Sequence, residues 1–181
     1  RILQRLVDLM DTHGDYILGL INQGTMDGSL HGHLTRSALL AASLARTTGM
    51  ERRRIARVAV GVYLSHLPLA RLGDDWATAD QDQLGYVFEH YMTEAVNRGN
   101  FNERTARHLS ILHELQTSTL RKGAPYGADL DTSFDGKIAA ISVLFDRLRT
   151  GLTAAGNEGF VGPATAVAKL ADIGREQKDL A

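Results

Sequence analysis

Leu34-Thr35-Arg36-Ser37-Ala38-Leu39-Leu40-Ala41-Ala42-Ser43-Leu44-Ala45, residues 34–45, is the stretch whose reading decides the fold. Leu34, Ala38, Ala41 and Ala45 recur at spacings of three and four, which places them on one face of an α-helix. Three of those four are alanine, so a neighbouring helix can come close. This predicts a central helix. Gly49 stands just past the end of the stripe, where a left-handed cap is expected.

The same spacing runs outward in both directions. Leu3, Leu6, Val7 and Met10, then Ile17, Leu18 and Ile21, predict helix on the N-terminal side, with Gly14 as a candidate break. Ile55, Val58, Ala59, Val62 and Tyr63 define a helix that Pro68 should end or kink, because proline lacks an amide hydrogen and clashes with the preceding turn. Leu84, Val87, Phe88, Tyr91, Met92 and Ala95 define another, and Leu109, Leu112 and Leu115 a further one. Ile138, Ile141, Phe145 and Leu148 form a strongly amphipathic stripe. Pro163 suits the first turn of a last helix through Val167 and Leu170. Two stretches read as loops, Gly73 to Asp80 and Thr117 to Phe134. The expected class is therefore all-α, a bundle of about six to eight helices.

Composition excludes several functions. Twenty basic residues against twenty-one acidic ones leave a net charge of -1, which gives no long-range attraction for a nucleic-acid polymer. There are no cysteines, so disulfides and thiolate metal sites are excluded. That usage suits a reducing compartment, and a cytoplasmic location is expected. No apolar run has the ~18 residues a membrane-spanning helix needs, and no signal-peptide pattern opens the chain. Because the first residue is Arg1, the chain reads as a piece of a longer protein.

Of the seven histidines, His33, His66, His90 and His113 fall on or beside separate predicted helices. A bundle can converge such imidazoles on one interior point, where they would suit a divalent metal. Their order exposes a resemblance. His33-Leu34-Thr35-Arg36-Ser37-Ala38, followed by Leu44-Ala45-Arg46 and Gly49-Met50, resembles the opening helix of HD-GYP domains, the cyclic-di-GMP phosphodiesterases of the HD superfamily. Val62-Tyr63-Leu64-Ser65-His66-Leu67-Pro68 occupies the place of that family's Leu-Leu-His-Asp-Ile-Gly-Lys. Phe88-Glu89-His90 resembles its single-histidine helix, and Ile111-Leu112-His113-Glu114 its His-His-Glu. Lys137-Ile138-Ala139-Ala140 with Phe145-Asp146-Arg147-Leu148 resembles its last helix. The likeness covers roughly residues 25–150. Residues 1–24 then read as an N-terminal helical segment leading from an upstream domain, and 25–181 as the HD-GYP-like domain.

The departures from that pattern bear on function. The family's His-Asp pair falls on Ser65-His66, or, slid by one residue, on His66-Leu67, and neither register supplies the bridging carboxylate. One of the paired histidines is Leu112. The family's metal-binding aspartate falls on Val143, and its Gly-Tyr-Pro loop is represented at best by Gly123-Ala124-Pro125-Tyr126-Gly127. Two-metal phosphodiester hydrolysis needs a bridging carboxylate to fix the metals' separation. The resemblance therefore implies a degenerate domain with no catalytic residues: a regulatory or protein-interaction module of bacterial cyclic-di-GMP-related signal transduction. His33, His66, His90 and His113 would be vestigial ligands. The alternatives are a phosphohydrolase with a reduced metal site, and an unrelated helical sensor or oligomerisation domain.

No cofactor is expected, with a single zinc, iron or manganese ion as the residual alternative. The expected partner is another signalling domain, with cyclic-di-GMP or another nucleotide, or a second copy of the chain, as alternatives. Arg36, which matches a family position and is placed to pair with a carboxylate, and Arg53 and Arg54 are the candidate ligand or partner contacts. Asp146 is one of the family carboxylates that survive, and reads as structural.

Overall fold

The computed structural model describes residues 2–23, 28–65, 67–77, 79, 81–97, 134–153, 156–157 and 160–178. Among these the chain is an all-α bundle: α1 (Ile2–Gln23), α2 (Leu30–Thr47), α3 (Arg52–Ser65), a 3-10 segment (Leu67–Ala77), α4 (Gln81–Asn97), α5 (Phe134–Thr150) and α6 (Pro163–Lys178). A two-residue antiparallel ladder, β1 (Leu152–Thr153) with β2 (Gly156–Asn157), joins α5 to α6 and pairs Leu152 with Asn157. No helix among the described residues is long and apolar enough to cross a membrane. The helix predicted on Leu109, Leu112 and Leu115 lies outside the described residues, as does the loop predicted from Thr117 to Phe134 except for Phe134 itself, which is helical as the first residue of α5.

Helix α2 is central, and its alanines are the reason. Ala38, Ala41, Ala42 and Ala45 are all buried in one core with Ile17 and Ile21 of α1, Ile55, Val58, Ala59 and Val62 of α3, and Ile138, Ala139, Ala140 and Val143 of α5. The α2–α5 seam is alanine on both sides, so the two backbones approach closely. Because Ile17 and Ile21 share this core, α1 is packed into the bundle and not held apart from it.

The ends of α2 are closed by local chemistry. The Ser29 hydroxyl accepts from the Gly32 amide at 3.1 Å, an N-cap. At the other end Met50 N donates to Ala45 O at 3.3 Å and Gly49 N to Arg46 O at 3.0 Å. This is a Schellman turn, and it requires the left-handed φ of 75° that Gly49 adopts. Helix α1 carries a kink at His13, next to the predicted break at Gly14. Pro68 does fall where α3 gives way to a different helix type, and Pro163 opens α6.

Three expectations are corrected. The stretch from Gly73 is 3-10 helical through Ala77, with its irregularity confined to Gly73 (φ 58°), where a loop was expected as far as Asp80. Trp76, read as a loop residue, is buried at 4% exposure because its ring finds an aromatic partner inside the bundle. The buried face of α5 is rotated from the predicted stripe. Ile141 is 41% exposed, while Ser142, Val143 and Asp146 are buried, because a polar partner on α2 draws Asp146 inward. Val167 of α6 likewise faces solvent, and Ala166 takes the buried position.

Two variants test this seam. Ala41→Leu adds three carbons at a site with no free surface, so it should lower stability by ~1–3 kcal/mol through overpacking. Gly49→Ala should cost ~1–2 kcal/mol because an L side chain resists the left-handed conformation. Both are read as a reduced urea midpoint with unchanged helical circular dichroism.

Candidate functional site

The chemistry-bearing side chains that the fold brings together lie where α2 meets α5. Positions 33, 36 and 37 fall on successive turns of α2, so their side chains share the face turned towards α5. Asp146 faces them, one turn beyond Val143 and four residues before Thr150. His33 and Arg36 are separated from Asp146 by more than a hundred residues of sequence and meet it only through the bundle.

The Asp146 carboxylate holds two groups at once. His33 Nδ1 lies 2.7 Å from Oδ2, and Arg36 Nε donates to Oδ1 at 2.7 Å, with Arg36 Nη2 donating to Oδ2 at 3.3 Å. The two arginine bonds make a fork on the carboxylate, the strongest geometry available to this pair. Ser37 Oγ lies 3.5 Å from His33 Nδ1. His33 is fully enclosed (0% exposed), and its ring stacks on Trp76 at 5.1 Å between centroids and 24° between planes. The network thus joins three elements: α2, α5 and the 3-10 segment.

Its electrostatics follow from burial. Loss of water holds the His33 pKa below its ordinary value near 6.5. The Asp146 hydrogen bond and charge oppose that shift, and the Arg147 and Arg36 charges add to it. His33 is therefore neutral near pH 7, with Nδ1–H donating to Asp146. Burial also lowers the pKa of Arg147, and of Arg149, which feels the opposing charge of Asp146 and the like charge of Arg36. Guanidinium groups remain protonated through such shifts. The basic residues at the end of α5 are thus permanent charges in a region of low polarity.

The other predicted residues are dispersed. His90 lies on α4, its side chain 45% exposed, 3.7 Å from Glu94 and stacked on Tyr86 at 6.2 Å. His66 and His113 lie outside the described residues. Among the described residues no group of three or more histidines, aspartates or glutamates is gathered for a metal ion. Val143, where the resemblance would place an aspartate, is 1% exposed and packs in the apolar core. The described donor set does not fit a pair of metals: Asp146 is committed to a guanidinium and an imidazole, and Val143 has no donor atom.

Arg54 ties α3 to α5 through Asp135 at 2.8 Å, and Arg52 ties α3 to α1 through Asp8. Arg53 is exposed on α3. Sequence reasoning missed Trp76, Arg147 and Arg149. The legible signals were a lone tryptophan in a short polar stretch and two arginines in the last turn of a helix.

Asp146→Ala removes the carboxylate that joins Arg36 to His33, and should destabilise the fold by ~3–5 kcal/mol because a buried guanidinium loses this charge partner. Asp135→Ala, at a half-exposed pair, should cost no more than ~1 kcal/mol. Chemical denaturation of the two variants side by side checks the contrast. The His33 shift also fixes a pH dependence. Its folded-state pKa is depressed, so the unfolded chain binds more protons between that value and about 6.5. The His33 contribution is fully present above that upper limit and is lost as pH falls below it. Melting temperature should drop between pH 7.5 and 5.5, and His33→Gln should flatten that slope.

No protein-family model matches this sequence, no curated protein matches it, and no solved structure matches its fold.

Proposed function

We propose that this chain is a non-catalytic regulatory or protein-interaction module, of HD-GYP-like character, in cyclic-di-GMP-related signalling. The observation that carries this reading is the commitment of Asp146. In a metal-dependent hydrolase the acidic groups of the cleft are kept for cations and for the water they activate. Here the carboxylate on α5 is taken internally by Arg36 and His33. One turn earlier, the site that would carry a metal-binding aspartate is the buried Val143. The polar core has become a brace between α2 and α5. A bundle held in this way presents a fixed outer surface, which is what a docking module needs.

A second reading has one specific observation in its favour. Metal-ligating histidines are commonly oriented by a carboxylate on the ring nitrogen that does not bind the metal, and His33 has such a bond through Nδ1. A hydrolase built on a single metal would use that geometry. Against it stand the complete enclosure of the ring and its stacking on Trp76.

The experiment is direct. Pure protein incubated with cyclic-di-GMP and manganese or iron should yield neither linear dinucleotide nor GMP, and elemental analysis after mild purification should find no stoichiometric metal. Turnover that His90→Ala abolishes would overturn the proposal and establish the hydrolase.

A further inference from the structure

Helix α1 bends at His13, whose backbone angles (φ -138°, ψ 34°) are non-helical. Its composition does not force a bend. Residues 2–23 contain no proline, so a straight helix is open to all of them. Two local features favour the bend. The Thr12 hydroxyl donates to Leu9 O at 3.2 Å and reaches Asp8 O at 3.4 Å, and a threonine bonded back in this way tends to bend a helix. Gly14 follows directly, and glycine is the weakest helix former after proline.

A tertiary contact falls on the same spot. Arg46, in the last turn of α2, lays its guanidinium against Gly14, and its Nη1 atom stands in the space that a Cβ at position 14 would fill. At Gly19, also in α1, an added Cβ would meet no atom within 4 Å. The approach of Arg46 to the α1 backbone therefore requires glycine at position 14. Arg46 as a whole is exposed, so burial in the core does not impose its placement.

The two halves of α1 are held differently. Beyond the bend, Ile17 and Ile21 lie in the core shared with α2, α3 and α5. Before it, Asp8 pairs with Arg52 of α3 where both side chains are partly in water, and pairs of that kind contribute little. Arg5 and Leu9 of the same half face solvent. The first half is thus an arm, and the second half its base.

We infer that His13–Gly14 is a hinge for the N-terminal arm of α1, and that Arg46 is the catch that keeps the arm bent. Once Arg46 withdraws into water, Gly14 can continue the helix and the arm swings to a straighter line. The contacts that hold the bend are each weak, so the two arrangements are within reach of one another. Coupling between them is reciprocal. A load on the arm unseats Arg46, and a change at the C-terminal turn of α2 redirects the arm, as in other hinges where a few residues at the end of an element absorb the motion. This inference stands independently of the signalling role proposed above.

Distances between spin labels test it. The chain has no cysteine, so Arg5→Cys and Lys137→Cys, both at exposed positions, place one label on the arm and one on α5. From Arg5 to His13 is about 12 Å of helix, and a change of about 20° in the bend moves the first label by about 4 Å. The labelled but otherwise unmodified chain should give one narrow distance distribution. Arg46→Ala and Gly14→Ala should each shift or broaden it by about 4 Å, with circular dichroism and melting temperature showing the bundle intact. The added methyl at position 14 meets only the end of a flexible arginine side chain, so the fold should survive it. Gly19→Ala gives an equal gain in helix propensity without touching Arg46, and should leave the distance unchanged. In the Gly14→Ala background, Arg46→Ala should add no further shift, because both changes undo one contact. An unchanged distribution in Arg46→Ala or in Gly14→Ala, or an equal shift in Gly19→Ala, overturns the inference. Should one of the first two variants fail to fold, the other decides the question.

Discussion

A buried carboxylate is tolerable only if cations and hydrogen-bond donors replace the water it has lost, and Asp146 is surrounded by both. The Arg36 fork and the His33 Nδ1–H saturate its two oxygens from α2. Desolvation costs several kcal/mol for each buried ion, and the mutual attraction repays this only where geometry is good. The bonds at 2.7 Å meet that condition. Since the partners lie 110 and 113 residues away in sequence, the pairing fixes how α2 and α5 sit against each other. Few relative placements of the two helices would satisfy it.

Alanine makes that pairing reachable. Larger side chains along Ala38, Ala41 and Ala45 would hold α5 away from α2 and stretch the Arg36–Asp146 fork. Val143 supplies the apolar floor one turn from the carboxylate, and Trp76 covers the open side of the His33 ring. Polar and apolar parts are interdependent. The close seam brings the ions together, and the ions hold the register of the seam. A site assembled in this way is braced rather than poised, which is what supports the proposal of a non-catalytic module.

Charge is distributed by depth. Outer arginines pair across helices with modest consequence, Arg52 with Asp8, Arg54 with Asp135 and Arg71 with Glu94, all partly in water. The arginines at the end of α5 lie in a less polar setting, where the same charge has longer reach and greater cost.

The sequence by itself determined the helical class, the central place of α2, the Gly49 cap and the helix opened by Pro163. Each follows from local rules: periodicity, small residues on one face, and backbone angles only glycine or proline prefers. It also singled out His33, Arg36 and Asp146, and marked Arg36 for a carboxylate. It did not reveal that these three meet, nor that Ile141 faces water while Asp146 faces the core. Hydrophobic periodicity assumes that polar groups point outward, and α5 departs from that rule because a buried partner on another helix repays the loss of water. Trp76 escaped for a related reason. Its burial depends on a ring supplied by a helix more than forty residues earlier, and only the packed tertiary structure brings the two together.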